Sequence, residues 1–196
     1  MKKFLSLFCL FAMLTAFTCE NEPLDDGINT TNPGNTNSAL IGTWSLTDFD
    51  VTLGSTTSFN GESFISDIEI QSTTENYVLN LTSNNFTTNG SYSYDTNIVV
   101  NGETFSSEPY TLENVSGSGS YFTNGNQMTI DGSFFEFEFE GSEETSLAGE
   151  QTVTFSISPD GQILTFTQDE TTSQTDPTTG TVTTSTTNST SKWEKQ

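Results

Sequence analysis

Beyond residue 38 the chain is a succession of short segments in which apolar and polar side chains alternate. Val153, Phe155 and Ile157 show the pattern clearly, because the residues between them are polar. A period of two places successive side chains on opposite faces of a β-strand, whereas a helix needs apolar residues three or four positions apart. No window beyond residue 38 has convincing helical spacing. The pattern therefore predicts an all-β domain.

The alternation defines a series of strand candidates. They cover residues 40–53, 64–70, 77–81, 86–94, 121–122, 128–130, 135–139, 153–157, 164–166 and 181–195. In the first candidate the apolar residues change parity, since Trp44 and Leu46 occupy even positions and Phe49 and Val51 odd ones. Such a change predicts a β-bulge near Asp48, which would let a long strand bend around a barrel.

Turn-forming residues separate most of these candidates. They occur as Asn89-Gly90, Asn101-Gly102, Asn124-Gly125, Asp131-Gly132, Ser158-Pro159-Asp160-Gly161 and Asp176-Pro177-Thr178-Thr179-Gly180. Such sequences favour the positive φ angles of tight hairpins. Consecutive strands with short turns predict an antiparallel up-and-down sheet of about eight strands. Strong curvature, or closure into a barrel, would protect its edges.

The first 38 residues follow a different pattern. Lys2 and Lys3 precede an apolar run that ends at Phe17, and Cys19 follows two residues later. The run has the length of a signal peptide and falls short of the roughly 20 residues that a membrane-spanning helix needs. The start of the chain therefore indicates export from the cytoplasm.

This arrangement resembles a bacterial lipoprotein signal with a loose lipobox, in which cleavage leaves the cysteine as an acylated first residue. The resemblance implies a signal peptide over residues 1–18 and a lipid anchor at Cys19. Residues 20–38 are acidic and polar and contain Pro and Gly. We interpret residues 19–38 as the lipidated cysteine and a flexible tether. The folded domain then spans residues 39–196, a length that suits a single domain.

The charge balance restricts the partners. The chain has 26 Asp and Glu against 4 Lys and Arg, a formal net charge of −22. Cleavage before Cys19 removes Lys2 and Lys3, which brings the formal charge of the mature chain to −24. Such a protein repels nucleic acid and anionic membrane surfaces. The expected partners are cations, neutral molecules or basic surfaces of other proteins.

The missing residue types exclude most catalytic chemistry. The chain has no His and no Arg, so it lacks Ser-His and Cys-His pairs, the usual zinc ligands and a guanidinium that could clamp phosphate. Cys9 leaves with the signal peptide and Cys19 carries lipid, which excludes a disulfide. A carboxylate-only mechanism and a Ser-Lys pair remain open. The sequence predicts a non-enzymatic protein with no cofactor and no metal site.

One internal motif offers an alternative. Residues 135–140 alternate Phe and Glu, so a strand here would have three Phe on one face and three Glu on the other. Glutamates two positions apart lie about 7 Å apart, a separation found in pairs of glycosidase carboxylates, and several carboxylates also suit calcium. A half-buried strand with a solvated acidic face explains every residue as well, and we favour it. Asp48 with Asp50, and Glu143 with Glu144, are interpreted likewise as surface charge.

Both ends of the domain carry a familiar motif. Gly42-Thr43-Trp44 begins the first strand candidate, and Lys192-Trp193-Glu194-Lys195 lies at the end of the last one. With the signal, these motifs resemble the small lipocalin-like lipoproteins of Gram-negative bacteria. The resemblance implies an up-and-down barrel or a half-open variant, with Trp44 closing one end against a cation from the last strand. That cation is an Arg in lipocalins.

The barrel-closing candidates here are Gly42, Trp44, Lys192, Trp193 and Lys195. Lys192 or Lys195 would take the place of the Arg through a cation–π contact with Trp44. In the alternative interpretation, Trp44 is simply a large core residue.

The resemblance also bears on location and function. Such bacteria often mark surface lipoproteins with acidic residues after the acylated cysteine, and Glu20, Glu22, Asp25 and Asp26 fit loosely. We expect an outer-membrane lipoprotein on the cell surface; the alternative is one that faces the periplasm. The expected function is binding of a small apolar or amphiphilic ligand in the barrel. The alternative is an interaction protein without a cavity, whose acidic, Thr-rich surface binds a protein or glycan.

Overall fold

The computed structural model describes residues 37–137, 145–146 and 150–196. Ten strands occur in this part of the chain. They are β1 (Gly42–Phe59), β2 (Glu62–Leu81), β3 (Asn85–Val100), β4 (Glu103–Asn124), β5 (Gln127–Asp131), β6 (Glu136–Phe137), β7 (Thr145–Ser146), β8 (Glu150–Ile157), β9 (Ile163–Thr175) and β10 (Val182–Lys195). Within these ranges the search for a helix long and apolar enough to cross a membrane finds none.

Eight strands close into a ring in the order β1-β10-β9-β8-β5-β4-β3-β2, and every neighbouring pair is antiparallel. The prediction of an antiparallel all-β barrel of about eight strands is confirmed. The two-residue strands β6 and β7 pair with each other in the segment between β5 and β8. Residues Gly34–Gln196 form a compact unit.

β-Bulges bend the long strands. The bulge expected near Asp48 is present, because the register between β1 and β10 shifts between Leu46 and Asp48. Another shift, between Ser72 and Thr74, lies in the middle of β2. It joins the segments 64–70 and 77–81 into one strand, although the sequence pattern separates them. One extra residue reverses the parity, so buried residues lie at even positions before the bulge and at odd positions after it.

Gly90 lies inside β3, as the strand candidate 86–94 predicts, and the turn predicted at Asn89-Gly90 is wrong. Its φ is +137°, and it pairs with Tyr77 on β2 and Val115 on β4. A Cβ atom at this position would lie 2.1 Å from the carbonyl oxygen of Asn76. Only glycine leaves room for this close approach of two strands. The turn predicted at Asn101-Gly102 does join two strands, with positive φ at both residues.

The two ends of the barrel differ. At one end, which we call the closed end, short turns join β2 to β3, β4 to β5 and β8 to β9. At the other, the hairpin end, the β1–β2, β3–β4 and β9–β10 hairpins extend beyond the short strands β5 and β8. β5 pairs with β4 only over residues 120–124, and β8 pairs with β9 only over residues 154–157. Among the described residues, this leaves a wedge without strands between β4 and β9 on that side.

The β4 edge that faces the wedge is interrupted along its length. Residues 103–119 of β4 pair with β3 on one side, and the described residues supply no strand on the other. Pro109 removes a backbone donor from this stretch, and register shifts lie beside Phe105 and Asn114. Proline and bulges of this kind oppose pairing with a further strand.

Candidate functional site

Trp44 and Lys195 meet at the closed end. The Trp44 side chain is buried, and its Nε1–H donates a 2.8 Å hydrogen bond to the carbonyl oxygen of Leu40. Lys195 pairs with Trp44 across β1 and β10, and its Nζ lies 5.1 Å from the centroid of the Trp44 ring. This distance suits a cation–π contact. Trp44 is both fully buried and covered by a cation. The two interpretations of this residue, as the ring that closes one end of the barrel and as a large core residue, are therefore compatible.

The other predicted residues of this end take different positions. Lys192 forms a 2.9 Å ion pair with Asp48, and this hydrogen bond raises the pKa of the lysine. Trp193 is buried and donates from Nε1 to Ser191 Oγ at 3.0 Å. A Cβ atom at Gly42 would lie 3.3 Å from Cε of Lys195, so the glycine leaves space for the lysine stem.

Aromatic rings occupy the interior of the barrel above Trp44. Phe135 comes from the segment between β5 and β8, and its ring centroid lies 5.0 Å from that of Phe49 and 5.7 Å from that of Trp193. Tyr77 and Tyr92 complete the surroundings, with centroids 6.1 Å and 5.8 Å from Phe135. The protein's own side chains thus fill this part of the barrel interior.

Two tyrosine hydroxyls fix residues 133–137, which we call the plug segment. The Tyr92 hydroxyl donates to the carbonyl oxygen of Glu136 at 2.5 Å and accepts the N–H of the same residue at 2.8 Å. The Tyr77 hydroxyl donates to the carbonyl oxygen of Phe134 at 2.9 Å. Phe134 and Phe137 are buried. Tyrosine side chains of the barrel wall therefore form hydrogen bonds with three backbone groups of the plug segment.

The Phe-Glu run thus differs from the expected barrel strand. In its described part only Glu136–Phe137 is a strand, and this strand lies outside the ring. Phe134, which precedes the run, is buried beside Phe86 at a centroid distance of 4.8 Å. Residues 138–140, and Glu143 with Glu144, lie outside the described residues. Among the residues that the structure describes, no group of three or more acidic side chains is placed to hold a metal ion.

The buried phenols predict a loss of stability at alkaline pH. Burial raises the pKa of Tyr77 to about 12 and that of Tyr92 well above its ordinary value. The unfolded chain releases these protons near pH 10, so their contribution is complete below about pH 10 and is lost as the pH rises towards about 12. Each phenol should then cost about 1.4 kcal/mol per pH unit.

Urea unfolding at a series of pH values between about 8 and 11 would measure this loss as a falling midpoint. The Tyr77→Phe variant should show a shallower decline, because it has one phenol fewer to ionise. Native protein in which all five tyrosines ionise together near pH 10, as read from phenolate absorbance, would contradict this expectation.

Exposed apolar side chains gather at the hairpin end. We call these residues the hairpin-end patch: Phe59, Phe64, Ile65, Phe105 and Val182. Phe59 and Phe64 lie on the inner face of the sheet, whereas Ile65 and Val182, which pair with Thr56 and Ser58, lie on the outer face. Phe105 is the most exposed of these, at 67%. A group of exposed apolar side chains at one end of a domain usually marks an interaction site. Phe122, 50% exposed, lies near the closed end of β4 and is separate from this patch.

The inner faces of the hairpins divide into an apolar half and a polar half. Directly paired residues share a face of the sheet, and the row Leu53, Ile68 and Ile98 crosses β1, β2 and β3. The same row continues on the other side of β1 through Thr187 on β10 and Glu170 on β9. Leu53 and Ile68 are partly buried against the core, and Ile98 is partly buried.

Two depressions lie on the outside of the barrel. One, of about 440 Å³, is lined by Asp50, Thr52, Asp169, Asn188 and neighbouring residues of β9, β10 and β1. The other, of about 410 Å³, lies beside Gly90. Both are polar, and neither opens into the aromatic interior.

Comparisons with known proteins give little. No protein-family model and no characterised protein matches the chain. One solved structure, described as the CBM2 module of Lactobacillus casei BL23 phage J-1 evolved Dit, is 8% identical over 83% of this chain with a TM-score of 0.14. The match spans 65% of that structure's length. A score this low carries no argument about fold or function.

Proposed function

We propose that this chain is a membrane-anchored, non-enzymatic lipoprotein that binds a partner protein through its hairpin end. Cys19 would carry the lipid, and residues 20–38 would form the tether to the barrel. We place the protein in the outer membrane and on the cell surface. Its acidic composition suits solubility outside the cell.

The observation that carries this proposal is the filled barrel. The plug segment places Phe135 among the rings of the wall, so a ligand in the interior would first have to displace it. The hairpin-end patch, in contrast, is already exposed. A surface of this kind can be buried by a partner without a rearrangement of the core.

The direction of β1, from the closed end to the hairpin end, agrees with binding of a partner protein at the hairpin end. The strand begins at Gly42 beside Trp44 and reaches the hairpin end at Phe59. The preceding chain therefore joins the barrel at its closed end. A partner that approaches from the medium would meet the hairpin-end patch, at the opposite end of the same strand.

A second candidate is a small amphiphile held between the hairpins. The apolar row Leu53, Ile68 and Ile98 faces the barrel axis beside the polar residues Thr187 and Glu170. A molecule with one apolar and one polar side would match both halves. This candidate keeps the ligand class of the lipocalin-like proteins but places the ligand above the plug segment.

Site-specific photo-crosslinking in the producing cells would test the proposed function. A benzoyl-phenylalanine at Phe105 should give a defined protein adduct, whereas the same group at Phe122 should not, because only Phe105 belongs to the hairpin-end patch. The Cys19→Ser variant should leave the membrane fraction and lose the adduct. Equal labelling from both positions, or none, would overturn the proposal. Release of a stoichiometric amphiphile on denaturation, seen by native mass spectrometry, would favour the second candidate.

A further inference from the structure

The inner face of the β1–β2–β3 hairpins carries an apolar track that leads from the core to the tips. It starts at Leu53 and Ile68, continues through Val100, and ends at Phe64 and Phe59, with the small polar residues Ser55, Thr57 and Ser66 between them. Phe64 is paired with the residue two positions before Phe59, so the two rings are diagonal neighbours. From Leu53 to Phe59 the track is about 20 Å long, at 3.3–3.4 Å per residue.

Four glutamates lie on the inner face of the hairpin end, one on β2, two on β4 and one on β9. Glu62 pairs with Phe59, Glu103 pairs with Val100, Glu108 pairs with the buried Thr96, and Glu170 pairs with Thr187. All four glutamates are exposed. The three hairpins contain no Lys or Arg apart from Lys192 and Lys195, which lie at the closed end. The apolar track is therefore bordered by uncompensated negative charge.

We propose that the hairpin end binds a protein segment that combines apolar side chains with lysine or arginine. The apolar residues would lie along the track from Leu53 to Phe59, and the cations would meet the four glutamates. This inference rests on the proposed function and names the chemistry of its partner. Opposite charges bring the segment to the site, and burial of Phe59 and Phe64 holds it there.

The charge pattern disfavours other occupants of the same surface. A second copy of the chain would bring its own glutamates against these four, since a two-fold interface places the same patch on both sides. An anionic lipid surface would be repelled in the same way. A basic, apolar segment is the one partner of these three that compensates both the exposed Phe rings and the acidic residues.

Three synthetic 12-residue peptides provide the probes: alternating Leu and Lys, alternating Ser and Lys, and alternating Leu and Glu. Binding to residues 20–196, which contain the whole compact unit, would be followed by fluorescence anisotropy. The Leu/Lys peptide should bind at least tenfold more tightly than either counterpart. The Phe59→Ser/Phe64→Ser double variant should lose at least tenfold in affinity, while Phe122→Ser, an equally exposed Phe outside the patch, should not.

Charge variants distinguish electrostatic attraction from nonspecific apolar binding. Glu62→Gln/Glu103→Gln should weaken binding of the Leu/Lys peptide and flatten its salt dependence, whereas Glu194→Gln at the closed end should leave both unchanged. Equal peptide affinity in wild type and Phe59→Ser/Phe64→Ser would overturn the inference. Measurement of the mass in solution would also overturn the inference if it showed dimers that depend on Phe59. Binding of phosphatidylcholine vesicles that depends on Phe59 would overturn it as well. Crosslinking from Phe105 to a partner that lacks such a segment would leave the proposed function standing without this inference.

Discussion

Replacement of Gly90 by alanine should destabilise the barrel by about 3–5 kcal/mol. The new Cβ would lie 2.1 Å from the carbonyl oxygen of Asn76 and 2.9 Å from Cα of Tyr77. Both contacts are with backbone atoms of a paired strand, so relief requires β2 and β3 to separate. The φ of +137° adds backbone strain for any residue with a side chain. Urea unfolding followed by tryptophan fluorescence would measure the loss.

Gly102→Ala is the matched control for this change. Gly102 also has a positive φ, of +83°, but a Cβ there would meet no atom within 4 Å. We expect it to cost about 1 kcal/mol, from backbone strain alone. If Gly90→Ala costs no more than Gly102→Ala, the close approach of the two strands at Gly90 is not a constraint on the fold.

Replacement of Trp44 by alanine should cost about 3–5 kcal/mol, the usual range for a large aromatic side chain in a core. The variant loses the packing at the closed end, leaves the carbonyl oxygen of Leu40 without its donor, and removes the ring beneath Lys195. For a domain of this size such a loss lowers the melting temperature by roughly 6–20 °C. Thermal unfolding followed by circular dichroism would show it.

Lys195→Met separates the cation from the packing in that result. The methionine retains an apolar stem over the Trp44 ring and removes the charge, so the loss should be about 0.5–1 kcal/mol. Ile41→Ala, at a neighbouring residue that is 42% exposed, should change stability by less than about 0.5 kcal/mol. A Trp44→Ala variant as stable as Ile41→Ala would show that the closed end does not depend on Trp44.

Local patterns along the chain were sufficient to predict the class of the fold. The parity change between Leu46 and Phe49 predicted a bulge, and the structure has a register shift at that place. The same reasoning explains why β2 was divided in two: the bulge after Ser72 interrupts the alternation without ending the strand. Periodicity reports which face a side chain takes, but it does not distinguish a bulge from a turn.

Two features required tertiary information. The sequence Asn89-Gly90 is a good turn signal, yet the glycine lies inside β3 and allows close packing against the paired strand β2. The Phe-Glu run satisfies the pattern of a strand, yet Tyr77 and Tyr92, more than forty residues away, draw the start of that run into the barrel. Neither partner can be identified from the local sequence.

The hairpin-end patch was also missed, although part of its signal lies in the sequence. Phe59 immediately precedes Asn60-Gly61, and Phe105 lies three residues after Gly102. Large apolar residues so close to hairpin turns cannot all reach a core. The acidic side chains of the inner face could not be recognised in advance, because their common orientation depends on the pairing register and on the bulge at Phe105.

The path of β1 from the closed end to the hairpin end determines how the barrel would carry mechanical load. Antiparallel hydrogen bonds run perpendicular to the strands, and β1 has a neighbour on each side, β10 and β2. Tension between Gly42 and a partner held at Phe59 would act along β1. It would load the hydrogen bonds of β1 to β10 and to β2 in shear, so that many bonds would share the force. Tension between Thr43 and Gln196, where the N–H of Gln196 donates to the carbonyl oxygen of Thr43, would instead unzip β1 from β10 one bond at a time. The barrel would therefore resist a force applied between Gly42 and Phe59 far better than a force applied between Thr43 and Gln196.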